Sequence, residues 1–340
     1  MLTAVVSMLL TTQPVQAESL EVTVDSGRHE VVLTVGPFRV PAMSMDHDMM
    51  GHDMMDHGMA HDSPLARFDW PVEGWLRGFR IEVLDSLGRP AARRLLHHLI
   101  VINFARRQLL YPAYERVLGA GAETADVMLP KTVGIPVRSG MPFGLYAGWH
   151  NESGADLDGI RLRLTVAWMP RNQNPPPVDV LPFYADVNLD IGGSNTFDIP
   201  PGRSAKSYAF TVPVSGRLLG VGGHLHDLGE SVRLEEDSTS RVLTELRARR
   251  DSAGHVEGLE RRLFGVSGAG LRLRAGRGYR VVGLYDNPSG ETRRRGAMAS
   301  MVGLFAPDRL DRWPALDPDS PELARDLAAL SPPPAEARAP

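Results

Sequence analysis

The chain has 340 residues, which at about 150 residues per domain leaves room for two domains, each large enough to bury a core. Gly (34) and Pro (27) together make up about 18% of it against an ordinary share of about 12%, which favours short strands and turns over long helices. The net charge is −4 and Lys131 and Lys206 are the only lysines among the cations; no basic block is present to suit nucleic acid or an anionic membrane surface. There is no cysteine, so disulfides and thiolate ligands are excluded and any metal must be held by His, Met, Asp or Glu.

Residues 1–17 are uncharged, run apolar from Met1 to Leu10 and end in Val15-Gln16-Ala17, as an export signal does. The missing Lys or Arg before the apolar run suggests that the true start lies upstream. Cleavage near Ala17 would leave a periplasmic or extracellular protein, and no later stretch approaches the ~18 apolar residues of a transmembrane helix.

Leu20 to Val24 and Glu30 to Val35 alternate apolar and polar residues around Asp25-Ser26-Gly27, which predicts a β-hairpin. A low-complexity tract follows, with Met43, Met45, His47, Met49, Met50, His52, Met54, Met55, His57, Met59 and His61 interleaved with Asp. Its thioethers and imidazoles suit copper capture, since Met selects Cu(I) and His accepts Cu(II).

Strand-like runs resume at 78–84, 95–104, 141–149, 160–168, 209–214, 218–221, 231–235, 279–285 and 298–305, separated by turn residues. One short helical stretch is expected near Ala113 to Gly119. The prolines of 169–177 read as a linker, because consecutive prolines stiffen a spacer and cannot join a sheet. The expected organisation is a first sandwich over 18–170, a linker over 171–177, a second sandwich over 178–310 and a Pro-rich tail over 311–340 holding a helix at 321–330. The fold class is all-β, two consecutive antiparallel jelly-roll-type β-sandwich domains.

Outside the tract, five of the remaining histidines fall in three short motifs: His97-His98, His150, and His224-Leu225-His226. On a strand, i and i+2 share a face, so His224 and His226 can reach one ion while Leu225 points into the core, and Gly222-Gly223 allows another backbone close by. His97 and His98 would face opposite ways unless a bulge or strand end intervenes. Met298 and Met301 are core fillers or, alternatively, one supplies a thioether beside His224 and His226. His29 and His255 are read as surface residues.

The order His-His, His, His-x-His, Met resembles the copper type II, ascorbate-dependent monooxygenases, the group containing peptidylglycine α-hydroxylating monooxygenase and dopamine β-monooxygenase. The resemblance covers scattered motifs over about residues 70–307 and is nearest to an uncharacterised exported bacterial branch. It implies two coppers per chain: one at His97, His98 and His150 for electron transfer, and one at His224, His226 and Met298 for oxygen activation. Met298 is preferred over Met301 because it stands nine residues before Pro307, as the family's methionine stands before its own proline. Those three residues would be catalytic, O₂ and an unknown small molecule the substrates, and ascorbate or a similar reductant the electron source. Gly222, Ser300 and Val302 stand where the peptide enzymes hold a substrate carboxylate, so a peptide C-terminus is a poor substrate guess. The alternative is a non-catalytic periplasmic copper-handling protein with a copper donor or acceptor as partner. A third reading, a metal-free sandwich that binds glycan or protein, predicts that the histidines do not converge.

Overall fold

A computed structural model describes residues 19–42, 61–122, 124–252, 254–265 and 270–330. The signal-like segment lies outside these residues, as do the histidine- and methionine-rich tract up to Ala60 and the last ten residues.

The protein is all-β, two consecutive jelly-roll-type sandwiches. In the first, a seven-stranded sheet runs in the order Ser19–Asp25, Glu30–Val40, Leu157–Pro170, Gly74–Leu84, Val133–Val137, Val178–Asp179, with Val127–Met128 also on Gly74–Leu84. It faces a sheet ordered His61–Asp62, Pro142–Trp149, Leu96–Arg107, Tyr114–Gly121, with Ala66–Asp69 also on Pro142–Trp149. The pairs are antiparallel except Val178–Asp179 on Val133–Val137. The alternation that predicted the opening hairpin sets its inward face: Val31, Leu33 and Val35 are buried. Beyond Val35 the pairing with Leu157–Pro170 shifts register, and Phe38 and Val40 become the buried residues. Phe38 packs on Trp149 with ring centroids 5.0 Å apart.

In the second sandwich, a sheet ordered Leu181–Asp186, Ala299–Pro307, Gly216–Leu225, Arg262–Leu263, with Leu271–Leu273 also on Gly216–Leu225, faces one ordered Gly202–Thr211, Gly278–Asn287, Gly229–Glu236, Arg241–Arg250, Val256–Leu259. Phe183, Phe305, Leu234, Val281 and Met301 fill its interior.

Three local expectations change. Of the expected helical stretch Ala113 to Gly119, residues 114–119 form part of the strand Tyr114–Gly121, paired along Leu96–Arg107, because so short a run cannot hold a helix against the hydrogen bonds that sheet pairing offers. The chain leaves the first sandwich only after Asp179, and Val180 and Leu181 still pack in the first core. The strand Leu157–Pro170 includes Pro170, at its very end opposite Gly74.

Beyond Pro307 the chain turns back onto the first sandwich. Trp313 donates its indole N–H to the Arg107 carbonyl at 2.8 Å and packs against both cores. The helix Pro321–Leu330 begins with Ser320, whose Oγ accepts the Leu323 N–H, and with Pro at the first helical position. Its Asp326, almost fully buried, receives both guanidinium arms of Arg116 at 2.6 Å and the Tyr114 N–H at 2.9 Å. Burial works against the Arg116 charge, but Asp326 outweighs it and raises its pKa.

Removing one member of this pair strands the other. Asp326→Ala is expected to cost about 3–5 kcal/mol in denaturant-unfolding free energy, and Arg116→Met with Asp326→Leu to recover most of it. Equal losses in the single and double variants would show that the cost does not come from a stranded buried charge.

Candidate functional site

His97, His98 and His150 meet at one end of the first sandwich. In the pairing of Pro142–Trp149 with Leu96–Arg107, Gly148 faces His98 and the next residue, Trp149, faces Leu96, so His97 is the extra residue of a β-bulge. The bulge turns two adjacent imidazoles to the same side: their Nδ1 atoms are 3.0 Å apart, close enough for one ring to donate and the other to accept. His150 follows the end of the strand. Its N–H donates to the Leu95 carbonyl at 2.9 Å, which brings its ring over His97 with centroids 6.3 Å apart. Its Nε2 lies 2.9 Å from Glu152 Oε1. His98 sets its ring edge-on to Tyr146 at 5.6 Å. His61, the last tract histidine, pairs in register with Trp149 and so brings the tract's end to this edge.

His224 and His226 stand at the end of Gly216–Leu225, with ring centroids 4.9 Å apart, and Leu225 between them is buried. The His226 N–H donates to the Met298 carbonyl at 3.1 Å, so Met298 is beside the pair through its backbone. Met301 is fully buried in the second core. Gly223 is required by the neighbouring strand: a Cβ there would lie 2.4 Å from the Ser300 carbonyl oxygen and 2.8 Å from Leu259 Cδ1. Gly223→Ala should destabilise by about 1–3 kcal/mol, read as a lower urea midpoint; an unchanged midpoint would mean that the strands can part at no cost.

Among the described residues, no three or more His, Asp or Glu side chains are grouped so as to hold a metal ion. Next to His150 there is instead an apolar cleft of about 260 Å³. Ala91, Ala92, Leu95, Leu157 and Ile160 line it together with Asp85, Arg94, His150, Glu152 and Ser153. Asp85 is committed: the Arg89 N–H and guanidinium bond to it and hold its carboxyl below the usual range. Arg93 donates to the carbonyls of Ile81, Gly121 and Thr124. Arg94 has no hydrogen bond or ion pair among the described residues. Sequence reading passed over Arg94, since nothing in Arg93-Arg94 tells which guanidinium is consumed by carbonyls; Glu152, two residues after His150, was the available signal.

His255, read as a surface residue, is exposed and pairs through Nδ1 with Asp227 at 2.8 Å. The Asp227 hydrogen bond and charge raise its pKa. For Asp227, burial opposes ionisation, but the Val256 N–H and His255 prevail and its pKa is lowered. The pair's contribution is therefore complete between the ordinary carboxylate and imidazole ranges; it is lost as pH rises through the raised His255 value and as pH falls through the lowered Asp227 value. An NMR titration of the His255 ring should show a midpoint above that of a free imidazole, returning to it in Asp227→Asn; a midpoint at or below it in the unaltered protein would refute the pairing.

No family model matches the chain, and no curated protein matches its sequence. Three solved structures found similar come from viruses. The major capsid protein P2 of bacteriophage PM2 is 10% identical over 73% of this chain and 93% of its own, with a TM-score of 0.36. The Faustovirus major capsid protein is 9% identical over 85% of this chain and 79% of its own, with a TM-score of 0.23. A chain of the Sulfolobus Turreted Icosahedral Virus structure is 10% identical over 72% of this chain and 56% of its own, with a TM-score of 0.20. Likeness this weak transfers no assembly or partner to the chain.

The expected membership of the copper monooxygenases is corrected by these findings, and with it the C–H hydroxylation by a copper oxidoreductase and the copper-handling alternative. No family model and no curated protein carries that membership, and among the described residues no group of His, Asp or Glu is gathered to hold a metal. The physical reason for the misreading is that His-His, His and His-x-His sit at strand ends and a bulge, where polar residues collect at the edge of any sandwich.

Proposed function

We propose that the chain is a binding protein whose recognition site is the cleft beside His150, taking a small amphipathic molecule with an apolar body and an anionic head. One observation carries this reading. The cleft is lined mostly by apolar side chains, and of the charged groups lining it Asp85 is consumed by Arg89 and Glu152 is engaged with His150, while Arg94 has no partner among the described residues. An apolar pocket with few polar groups at its mouth is the usual form of a small-molecule site, and the spare guanidinium selects a carboxylate over a neutral end. His150 lines the cleft and adds a hydrogen-bonding imidazole to it. Export is part of the proposal, supported by the apolar run Met1–Leu10 and the small residues Val15-Gln16-Ala17. No helix among the described residues is long and apolar enough to cross a membrane.

Calorimetric titration with hexanoate and with hexanol tests the proposal. Hexanoate should bind more tightly, and Arg94→Ala should weaken it about tenfold or more while leaving hexanol unchanged, the loss of one charged hydrogen bond being about 1.5–3 kcal/mol. Equal binding of acid and alcohol, or of neither, would overturn it. So would saturable uptake of zinc or copper that is abolished by His97→Ala and His98→Ala in a protein that ignores hexanoate.

A further inference from the structure

The second sandwich carries a cleft of different chemistry. It has a volume of about 380 Å³ and is lined by Glu236, Arg241, Leu243, Arg272, Arg274, Arg277 and Tyr279. Sequence reading found no basic block, because these arginines come from separate elements: Arg241 opens the strand Arg241–Arg250, Arg272 is in Leu271–Leu273, and Arg274 and Arg277 are in the turn before Gly278–Asn287.

Two carboxylates hold part of the set in place. Glu236, nearly buried, accepts Arg277 Nε at 2.7 Å and Thr239 Oγ1 at 2.8 Å, with Arg241 Nε at 3.8 Å. Asp308 takes both arms of Arg272 at 2.7 and 2.6 Å. The backbone N–H of Arg274 donates to the Tyr279 hydroxyl at 2.8 Å, which fixes the turn, while the Arg274 guanidinium has no hydrogen bond or ion pair among the described residues. Three guanidiniums thus share two carboxylates and the fourth, Arg274, has neither. The Thr239 and Arg277 contacts keep Glu236 ionised, so it acts as a support for the arginines rather than a proton carrier.

We infer that this arginine-lined cleft is an oxyanion site for a ligand bearing two neighbouring phosphate or sulfate groups. Guanidinium forks match tetrahedral oxyanions with paired N–H donors, and Arg274 and Arg241 keep donors that no carboxylate among the described residues occupies. The volume exceeds what one phosphate fills, which favours a diphosphate or a pair of sulfate esters over a single ion. The site is separate from the His150 cleft and does not depend on it.

Calorimetry of the full chain at about 50 mM salt, with inorganic phosphate, pyrophosphate and sucrose octasulfate as probes, tests the inference. Pyrophosphate should bind more tightly than phosphate, and Arg274→Ala should weaken it about tenfold with an unchanged melting temperature, Arg241→Ala adding a further loss. Tighter binding of sucrose octasulfate than of pyrophosphate would assign the site to sulfated saccharides; the reverse would assign it to free diphosphates. Arg294→Ala, an exposed arginine outside the cleft, should change nothing. The inference fails if pyrophosphate does not bind, if phosphate binds as well as pyrophosphate, or if Arg294→Ala weakens binding as much as Arg274→Ala does, which would mark diffuse charge attraction.

Discussion

The arrangement of the two sandwiches rests on a carboxylate buried at their seam. Asp186 is fully buried; it accepts hydrogen bonds from the Tyr184 hydroxyl at 2.5 Å, the Asn188 N–H at 2.8 Å and Asn195 Nδ2 at 3.1 Å. Burial raises its pKa despite these partners. Its own N–H donates to the hydroxyl of Tyr111, which comes from the first sandwich. A buried carboxylate is tolerable only while each of these partners stays in place, so the seam admits one geometry. Burial, with Asp186 nearby, pushes the Tyr111 and Tyr184 hydroxyls up, keeping both neutral donors or acceptors.

Around that network the two cores interpenetrate. Leu109, from a loop of the first sandwich, packs inside the second core, while Val180, Leu181, Leu219 and Ala306 pack in the first. Trp313 and the helix Pro321–Leu330 then tie the segment after the second sandwich back to the first through Arg107 and Arg116. With the sandwiches locked, the features with chemical potential are left at their ends: two groups of imidazoles, an apolar cleft and an arginine cleft. Each is built where strands stop or bulge, because there side chains leave the alternation that the cores impose.

The sheet content was legible from residue types. Alternation in 20–24 and 30–35 marks a real hairpin, and Leu225 between two histidines is buried as the period of two requires. The site was legible only in part. A bulge at His97 was a stated condition for His97 and His98 to share a side, and the structure has it. The arginine cleft escaped notice because its members are brought together by pairing across three segments, and the spare charge of Arg94 because its neighbour takes the available carbonyls. Motif order misled about family, since short histidine motifs at strand ends carry little information without the residues around them; Gly222, Ser300 and Val302 already departed from the pattern.

The sequence by itself determined an all-β chain without cysteine, with its strands, its turns and its three histidine motifs, because hydrophobic alternation and turn residues act over a few positions. Tertiary structure alone decided that 114–121 is a strand, that the helix Pro321–Leu330 docks on the first sandwich, that His97 bulges, and which arginines lack a carboxylate partner among the described residues. Those outcomes depend on which distant segment supplies the hydrogen-bond partner, and no local pattern encodes that.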